Sequence, residues 1–435
     1  MVTAIRKKPS RCSPTRKPRI DRPTGAAHPN EPPVTELKLD LLQTLSLAGL
    51  VYFGGIQLRK RIAWLDRLNI PAAVVGGLLF TTLVLILRNW SITIQLDTSM
   101  QATLSVAFFT SIGMGASLAL LRRGGLQVLV FLVLATVFCL VQNFLGIAIA
   151  SGFGENPLLG VMAGSVTLVG GPATGLAFAP VFEAAGLKGA GPLALTAATA
   201  GIVCGGLVGG PVGTQLIRRF GLASANRSVE EAKAELEAVP ETLIVEVDRE
   251  DSAFVRNLVV LGLAMGLGSL VSAKIQSLGI TLPAYIGAML VASVLRNMDD
   301  GTGWLRIDVR SMEFAGNLAL NIFLVVALMN LKLWELAGLA LPLFVILVAQ
   351  VIVVVLFALT VSFRVMGKDY ESAVMASGFI GFVLGTTANA VANMRALVAR
   401  FGAAPRAFLV VPLVGAFFID FANAIIITFF VNWLK

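Results

Sequence analysis

Gly164-Ser165-Val166-Thr167-Leu168-Val169-Gly170-Gly171-Pro172-Ala173-Thr174-Gly175 and, 214 residues further on, Gly378-Phe379-Ile380-Gly381-Phe382-Val383-Leu384-Gly385-Thr386-Thr387-Ala388-Asn389 both lie inside long apolar territory. A continuous membrane helix would fill such positions with Leu, Val and Ile, whereas these stretches carry Gly, Pro, Thr and Asn. Each reads as a break in the helix at membrane depth. Unsatisfied N–H and C=O groups are costly in hydrocarbon, so broken backbone is tolerated there only where protein buries it or where it lines a watery cavity. Two such breaks at matching places in the two halves of a chain point to a transporter binding site.

The composition agrees. Of 435 residues, 56% are hydrophobic and 14% charged, which places the chain among polytopic membrane proteins. The single histidine, His28, sits in a polar stretch, so neither a histidine metal site nor a Ser/His/Asp triad can be assembled within the apolar segments. That counts against a hydrolase. Cys12, Cys139 and Cys204 have no metal or redox spacing, and no cofactor is implied. Residues 1–38 hold nine Lys/Arg against three acids, so +6 of the net +9 belongs to them. This Pro-rich stretch is expected to be a basic disordered tail. No aromatic residues interleave its charges, so nucleic-acid binding is not expected.

A span needs about 20 apolar residues. Ten are expected, at about 39–58, 70–88, 102–121, 126–150, 190–217, 255–273, 282–298, 313–333, 336–363 and 407–433, with the interrupted segments at about 157–181 and 372–394. A charged connector over 220–254 divides the chain nearly in half, leaving 39–219 and 255–435 as the two units. The halves share a register. At an offset of 214, Phe109 meets Phe323, Gly164 meets Gly378 and Gly171 meets Gly385; Pro71 and Pro283 match at 212. Five spans per half is an odd number, which sets the halves in opposite orientations. The expected fold is therefore an all-α polytopic membrane protein: ten transmembrane helices as two inverted five-helix repeats, each with a re-entrant hairpin. With the loop after the first span in the cytoplasm, sixteen loop Lys/Arg fall inside and five outside, as the positive-inside rule requires. Both termini are then extracytoplasmic and the connector cytoplasmic; the basic tail runs against this bias.

Two hairpins entering from opposite faces can meet near the midplane, where free N–H groups at helix starts favour an anion and free C=O groups at helix ends favour a cation. Gly170, Gly171 and Thr174 at the first tip, with Thr386, Thr387 and Asn389 at the second, are the candidate substrate residues. The bland alternative is that small residues there only let helices pack closely. Asp420 is the only carboxylate deep in the last apolar span, and such a group is costly enough to mark function. With no intramembrane His or Lys beside it, a sodium ion is the expected compensation, with Asn393 and Thr167 as further ligands. An Asp that caps a helix or pairs with an arginine is the structural alternative. Gln142, Asn143, Asn317, Asn321 and Gln350 are weaker candidates, since helix-to-helix hydrogen bonds account for them.

Leu331-Lys332-Leu333-Trp334-Glu335-Leu336-Ala337, Met366-Gly367-Lys368-Asp369-Tyr370, Ala392-Asn393-Met394 and Val411-Pro412-Leu413-Val414-Gly415-Ala416-Phe417-Phe418-Ile419-Asp420 closely resemble the bacterial sodium/glutamate symporter family, over about 39–435. The resemblance implies sodium-driven uptake of glutamate across the inner membrane, through an inverted repeat with two re-entrant loops, in a homodimer. Related carriers move a transport domain against a fixed scaffold. Two tip sequences depart from the family pattern. Pro172-Ala173 stand where His-Gly is usual, and Thr387-Ala388-Asn389 replace a Thr-Pro-Thr order. A sodium- or proton-coupled carrier of another anionic amino acid or carboxylate is the alternative, with an intramembrane enzyme or a channel more remote.

Overall fold

The computed structural model describes residues 35–224 and 251–435, except Asn69, residues 89–91 and Gly124. Nearly all of the expected tail (1–38) and most of the expected connector (220–254) lie outside the described residues. The first half comprises β1 (Thr35–Lys38), α1 (Leu41–Arg61), α2 (Ala72–Arg88), β2 (Ile92–Gln95), α3 (Ser99–Gly115), α4 (Gly125–Gly152), α5 (Pro157–Val161, continued by a wide turn over Met162–Val166), α6 (Gly171–Ala184) and α7 (Ala190–Phe220). The second comprises α8 (Asp251–Ser277), α9 (Ala284–Thr302), α10 (Val309–Met329), α11 (Ala340–Phe357), α12 (Tyr370–Leu384), α13 (Thr387–Phe401), α14 (Pro405–Leu413) and α15 (Ile419–Trp433). Among the described residues, six helices are long and apolar enough to cross a membrane: Leu41–Arg61, Gly125–Gly152, Ala190–Phe220, Phe254–Ser277, Val309–Met329 and Ala340–Val365.

Local chemistry explains where these helices start and stop. Asp40 and Gln43 form a capping box at the head of α1, and Arg59, Lys60 and Arg61 sit at its carbonyl end, where positive charge is favoured. Pro71 and Pro283 precede α2 and α9, as their fixed φ allows at a helix entrance. The third span, expected over 102–121, stops sooner. Asn297 of α9 donates to the Ala116 carbonyl and accepts from Leu118 N–H, and Ser117 donates to Asp300, so polar partners from α9 end α3 at Gly115. A short parallel pairing of β1 with β2, not foreseen in the sequence, ties Thr35–Lys38 to the loop after α2.

The helices sort into two bodies, each mixing both halves of the chain. In one, α1–α3 interlock with α8–α10. Close crossings recur in the two halves: Gly55 and Gly76 bring α1 against α2, while Gly268 and Gly287 bring α8 against α9, each with partner backbone where a side chain would stand. Thr81 of α2 donates to the Leu328 carbonyl of α10 at 2.6 Å, which binds the halves to one another. In the other body, α4, α7, α11, both hairpins and α14–α15 share an apolar core in which Phe131, Phe138, Phe357, Phe379 and Phe382 pack ring on ring. Outward rows such as Leu258, Leu263 and Leu270 on α8 are exposed, as a face toward lipid would be.

Candidate functional site

Both predicted breaks are present. The first hairpin descends through α5, kinks at Gly164 with φ −102° and ψ −130°, and returns as α6. Gly171 opens the return arm at φ +66°, a left-handed conformation that favours glycine, and Pro172 follows within the first turn, where its missing N–H costs nothing. The second hairpin breaks at Gly385 and at an extended Thr386 between α12 and α13. Its return arm, expected to end near 394, runs on to Phe401 and closes at Gly402, whose carbonyl accepts from the Tyr370 hydroxyl at the start of the same hairpin.

The tips touch. A Cβ on Gly171 would lie 3.7 Å from Thr386 Cγ2 and 3.9 Å from the Gly385 carbonyl oxygen. Gly171 and Gly385, which match at the sequence offset of 214, are thus neighbours in space. Both return arms begin at this point, so the uncapped N–H ends of α6 and α13 lie together, an arrangement that favours negative charge.

The remaining expected residues divide by partner. Gly170 packs its backbone against Thr174, with a would-be Cβ 2.6 Å from Thr174 Oγ1, and Thr174 is buried. Thr167, also buried, donates to the Met162 carbonyl at 2.7 Å across the kink. Thr387 donates to the Gly415 carbonyl at 2.8 Å, linking the second tip to the bend between α14 and α15. Asn389 and Asn393 are buried against α7, donating to the Ile202 and Gly205 carbonyls at 2.7 and 2.8 Å. Ser377 reaches Gly209 O on the same helix. Gly201, Gly205, Gly209 and Gly213 repeat every fourth residue along α7, so one bare stripe receives the whole second hairpin. Asp420 is half-buried on α15, within electrostatic reach of Cys139 and of the Tyr285 hydroxyl. Among the described residues no hydrogen bond or ion pair joins Asp420 to Asn393 or Thr167.

Sequence reasoning passed over Ser165 and Asn423 and ranked Gln142, Asn143 and Gln350 low, yet these five form one buried network at the first kink. Asn143 Oδ1 accepts from Ser165 N–H and Asn423 Nδ2 donates to Ser165 O, both at 2.9 Å. Gln142 donates to the Val383 carbonyl of the second hairpin at 2.9 Å, and Gln350 donates to the Gln142 carbonyl at 2.7 Å. The adjacent amides Gln142-Asn143 in mid-span, and an Asn three residues after the lone buried-span carboxylate, were the signals available.

Two clefts flank the hairpins. One, about 830 Å³, runs between α7 and α13 and is lined by Thr214, Gln215, Arg218, Arg219 and Arg400. The other, about 700 Å³, adjoins α6 and the start of α7, with Glu183, Lys188 and Pro192 among its walls. Each borders the return arm of one hairpin, and neither is lined by a tip residue.

A family model described as sodium/glutamate symporter matches residues 37–403. The sodium/glutamate symporter of Escherichia coli strain K12 is 38% identical over 393 residues, covering 89% of this chain and 96% of that protein. That of Haemophilus influenzae is 37% identical over 386 residues, covering 88% and 95%.

Proposed function

This chain belongs to the sodium/glutamate symporter family, and on that premise we propose that it carries L-glutamate into the cell together with sodium, by alternating access. It is a multi-pass membrane transporter and not an enzyme. The observation that carries the reading is the contact of Gly171 with Gly385 and Thr386, two helix breaks from opposite halves meeting inside the protein. In the proposed site, glutamate carboxylates take the N–H ends of α6 and α13, with Gly170, Gly171 and Thr174 on one side and Thr386, Thr387 and Asn389 on the other. Asn389 has a spare amide oxygen for an ammonium group, since its nitrogen is already committed to Ile202.

The two-body arrangement supports the rest of the proposal. The paired crossings at Gly55/Gly76 and Gly268/Gly287 favour ten spans as inverted five-helix repeats. The α1–α3 and α8–α10 body is the scaffold and the hairpin-bearing body the moving part, in an inner-membrane homodimer with both termini outside. Moving one net negative charge into a negative interior costs roughly 2.3 kcal/mol per 100 mV. At least two sodium ions per glutamate therefore make the membrane potential drive uptake.

Uptake of labelled L-glutamate into proteoliposomes tests this. Accumulation is expected under an inward sodium gradient and not when potassium replaces sodium; equal rates in both would remove the coupling. Because Pro172 and Ala173 occupy the first tip, competition by aspartate and by dicarboxylates decides the solute in the same assay. Full uptake of a dicarboxylate with no glutamate uptake would replace glutamate as substrate.

A further inference from the structure

The network at the first kink leaves more acceptors than donors unmatched. Gln142 Oε1, Gln350 Oε1 and Asn423 Oδ1 are buried oxygens without a hydrogen-bond partner, against the unpartnered donors Asn143 Nδ2 and, in the same core, the Tyr285 hydroxyl; the Ser165 hydroxyl, which can donate or accept, is unpartnered as well. The amide orientations are not arbitrary. Asn423 and the two glutamines each donate through nitrogen to a backbone carbonyl, so the oxygen is the atom left over. Buried acceptors without donors are expensive, and positive charge is what relieves them.

The excess is most concentrated around Ser165. Its N–H is held by Asn143; its carbonyl accepts from Asn423 and from the Val169 and Gly170 N–H groups. The hydroxyl is left with no partner. Asn423 Oδ1, unpaired, belongs to the same amide that grips the Ser165 carbonyl. Asp420 lies three residues before Asn423 and so on the same face of α15, without a hydrogen bond or ion pair among the described residues.

We propose that Ser165 Oγ, Asn423 Oδ1 and the Asp420 carboxylate hold a dehydrated sodium ion at the kink of the first hairpin, where α15 crosses it. The choice of sodium as the ion rests on the reading of the chain as a sodium-driven carrier. The chemistry of the site narrows the choice independently. One carboxylate among neutral oxygens suits a hard monovalent cation, whereas divalent ions collect several carboxylates or keep their waters. Ser165 and Asn423 are both almost wholly buried, so an ion held by them is out of reach of bulk water. This site takes Asp420 from the set expected in the sequence and replaces Asn393 and Thr167 with Asn423 and Ser165. It also explains coupling. The ion would bind to the hairpin and to α15 together, fixing the kink and with it the tip that meets Thr386.

The test is thermal melting of the purified protein, without glutamate, while sodium chloride is titrated against choline chloride. Wild type is expected to gain stability with sodium, and Ser165→Ala and Asn423→Ala to need about tenfold more sodium for the same gain. In proteoliposomes the half-saturating sodium concentration for uptake should rise by the same factor, with the glutamate KM at saturating sodium unchanged. Protection of both variants at wild-type sodium concentrations would overturn the site. A raised glutamate KM with unchanged sodium dependence would overturn it too, giving these oxygens to the substrate's ammonium group. Ser165→Ala removes only the hydroxyl and keeps both backbone bonds, so it carries the test if Asn423→Ala does not fold. Sodium protection needs no glutamate, so a wild type that binds sodium but transports no glutamate would defeat the proposed function and leave this site standing.

Discussion

Gly201 shows how tightly the site's support is built: a Cβ there would run into the Leu384 carbonyl at the end of α12, and backbone cannot swing aside as a side chain can. Gly201→Ala is expected to cost about 1–3 kcal/mol, as overpacking does in dense interiors. Gly210→Ala, one step off the same stripe with nothing within 4 Å, is expected to be neutral. Melting temperatures of the two variants make the comparison. Gly171→Ala separates conformation from packing. A Cβ there would meet Thr386 Cγ2 and the Gly385 carbonyl only at ordinary contact distances of 3.7 and 3.9 Å, so the expected loss is the left-handed penalty of about 1–2 kcal/mol. It should show as a raised KM for glutamate in a protein that still folds. At this scale the sequence was only partly readable. The tip residues Gly171 and Thr386 stand out because Gly and Thr are foreign to an apolar run. Asn389 and Asn393 stand out equally, yet both spend their nitrogens on α7 carbonyls. An amide at a given register looks the same whether its partner is a ligand or a helix 187 residues away. Ser165 escaped notice for the converse reason, since a lone serine in a membrane helix is ordinarily bonded to its own backbone.

At the scale of the element, the second hairpin is anchored at its base as well as at its tip. Asp369 caps α12 by accepting from Ser372 N–H at 2.8 Å, and Arg406 Nη2 reaches both of its carboxylate oxygens at 2.6 and 2.7 Å. Glu371 accepts from Ala407 N–H, adding a second tie between the start of α12 and the start of α14. Partial burial pushes the Asp369 carboxyl up, but the Ser372 hydroxyl and N–H and the Arg406 guanidinium outweigh it and hold the group below its usual range. A carboxyl depressed in the folded state contributes stability above its unfolded pKa of about 4, and that contribution is lost as pH falls through the lower folded value. Melting temperature is therefore expected to fall on acidification below about pH 4 in wild type. Asp369→Asn should be less stable at neutral pH and show a shallower acid limb; an identical limb in both would exclude this anchor. The helix breaks themselves were legible, because Gly-Gly-Pro and Gly-Thr-Thr cannot continue an apolar helix. Where each arm ended was less so: the second return arm outlasts its apolar residues, and its final turns carry Arg395 and Arg400 on an amphipathic surface that an apolar-run criterion discards. The β1–β2 pairing was invisible for a simpler reason, since four-residue strands leave no periodicity long enough to detect.

Across the whole molecule, the proposed opposition of the two halves makes a topological prediction. On a cysteine-free background, Lys188→Cys is expected to react with a membrane-impermeant maleimide added to intact cells, and Arg364→Cys only after the cells are opened. Labelling of both from the same side would contradict the inverted repeat. The matched glycines in the sequence led to the expectation of a repeat but not to how the halves share their interiors. The second hairpin belongs to the C-terminal half, yet it beds on the bare stripe of α7, and Thr81 of the first half is bonded to Leu328 of the second. Each half relies on the other for part of its polar interior: Asn389 and Asn393 donate to α7 and Asn423 donates to the Ser165 carbonyl, while Gln142 donates to the Val383 carbonyl. Severed genetically between residues 225 and 250, the two fragments are accordingly expected to be degraded when made singly and to co-purify and restore uptake when made together. The protein would then behave as an obligate pair of strangers that happens to be translated as one chain.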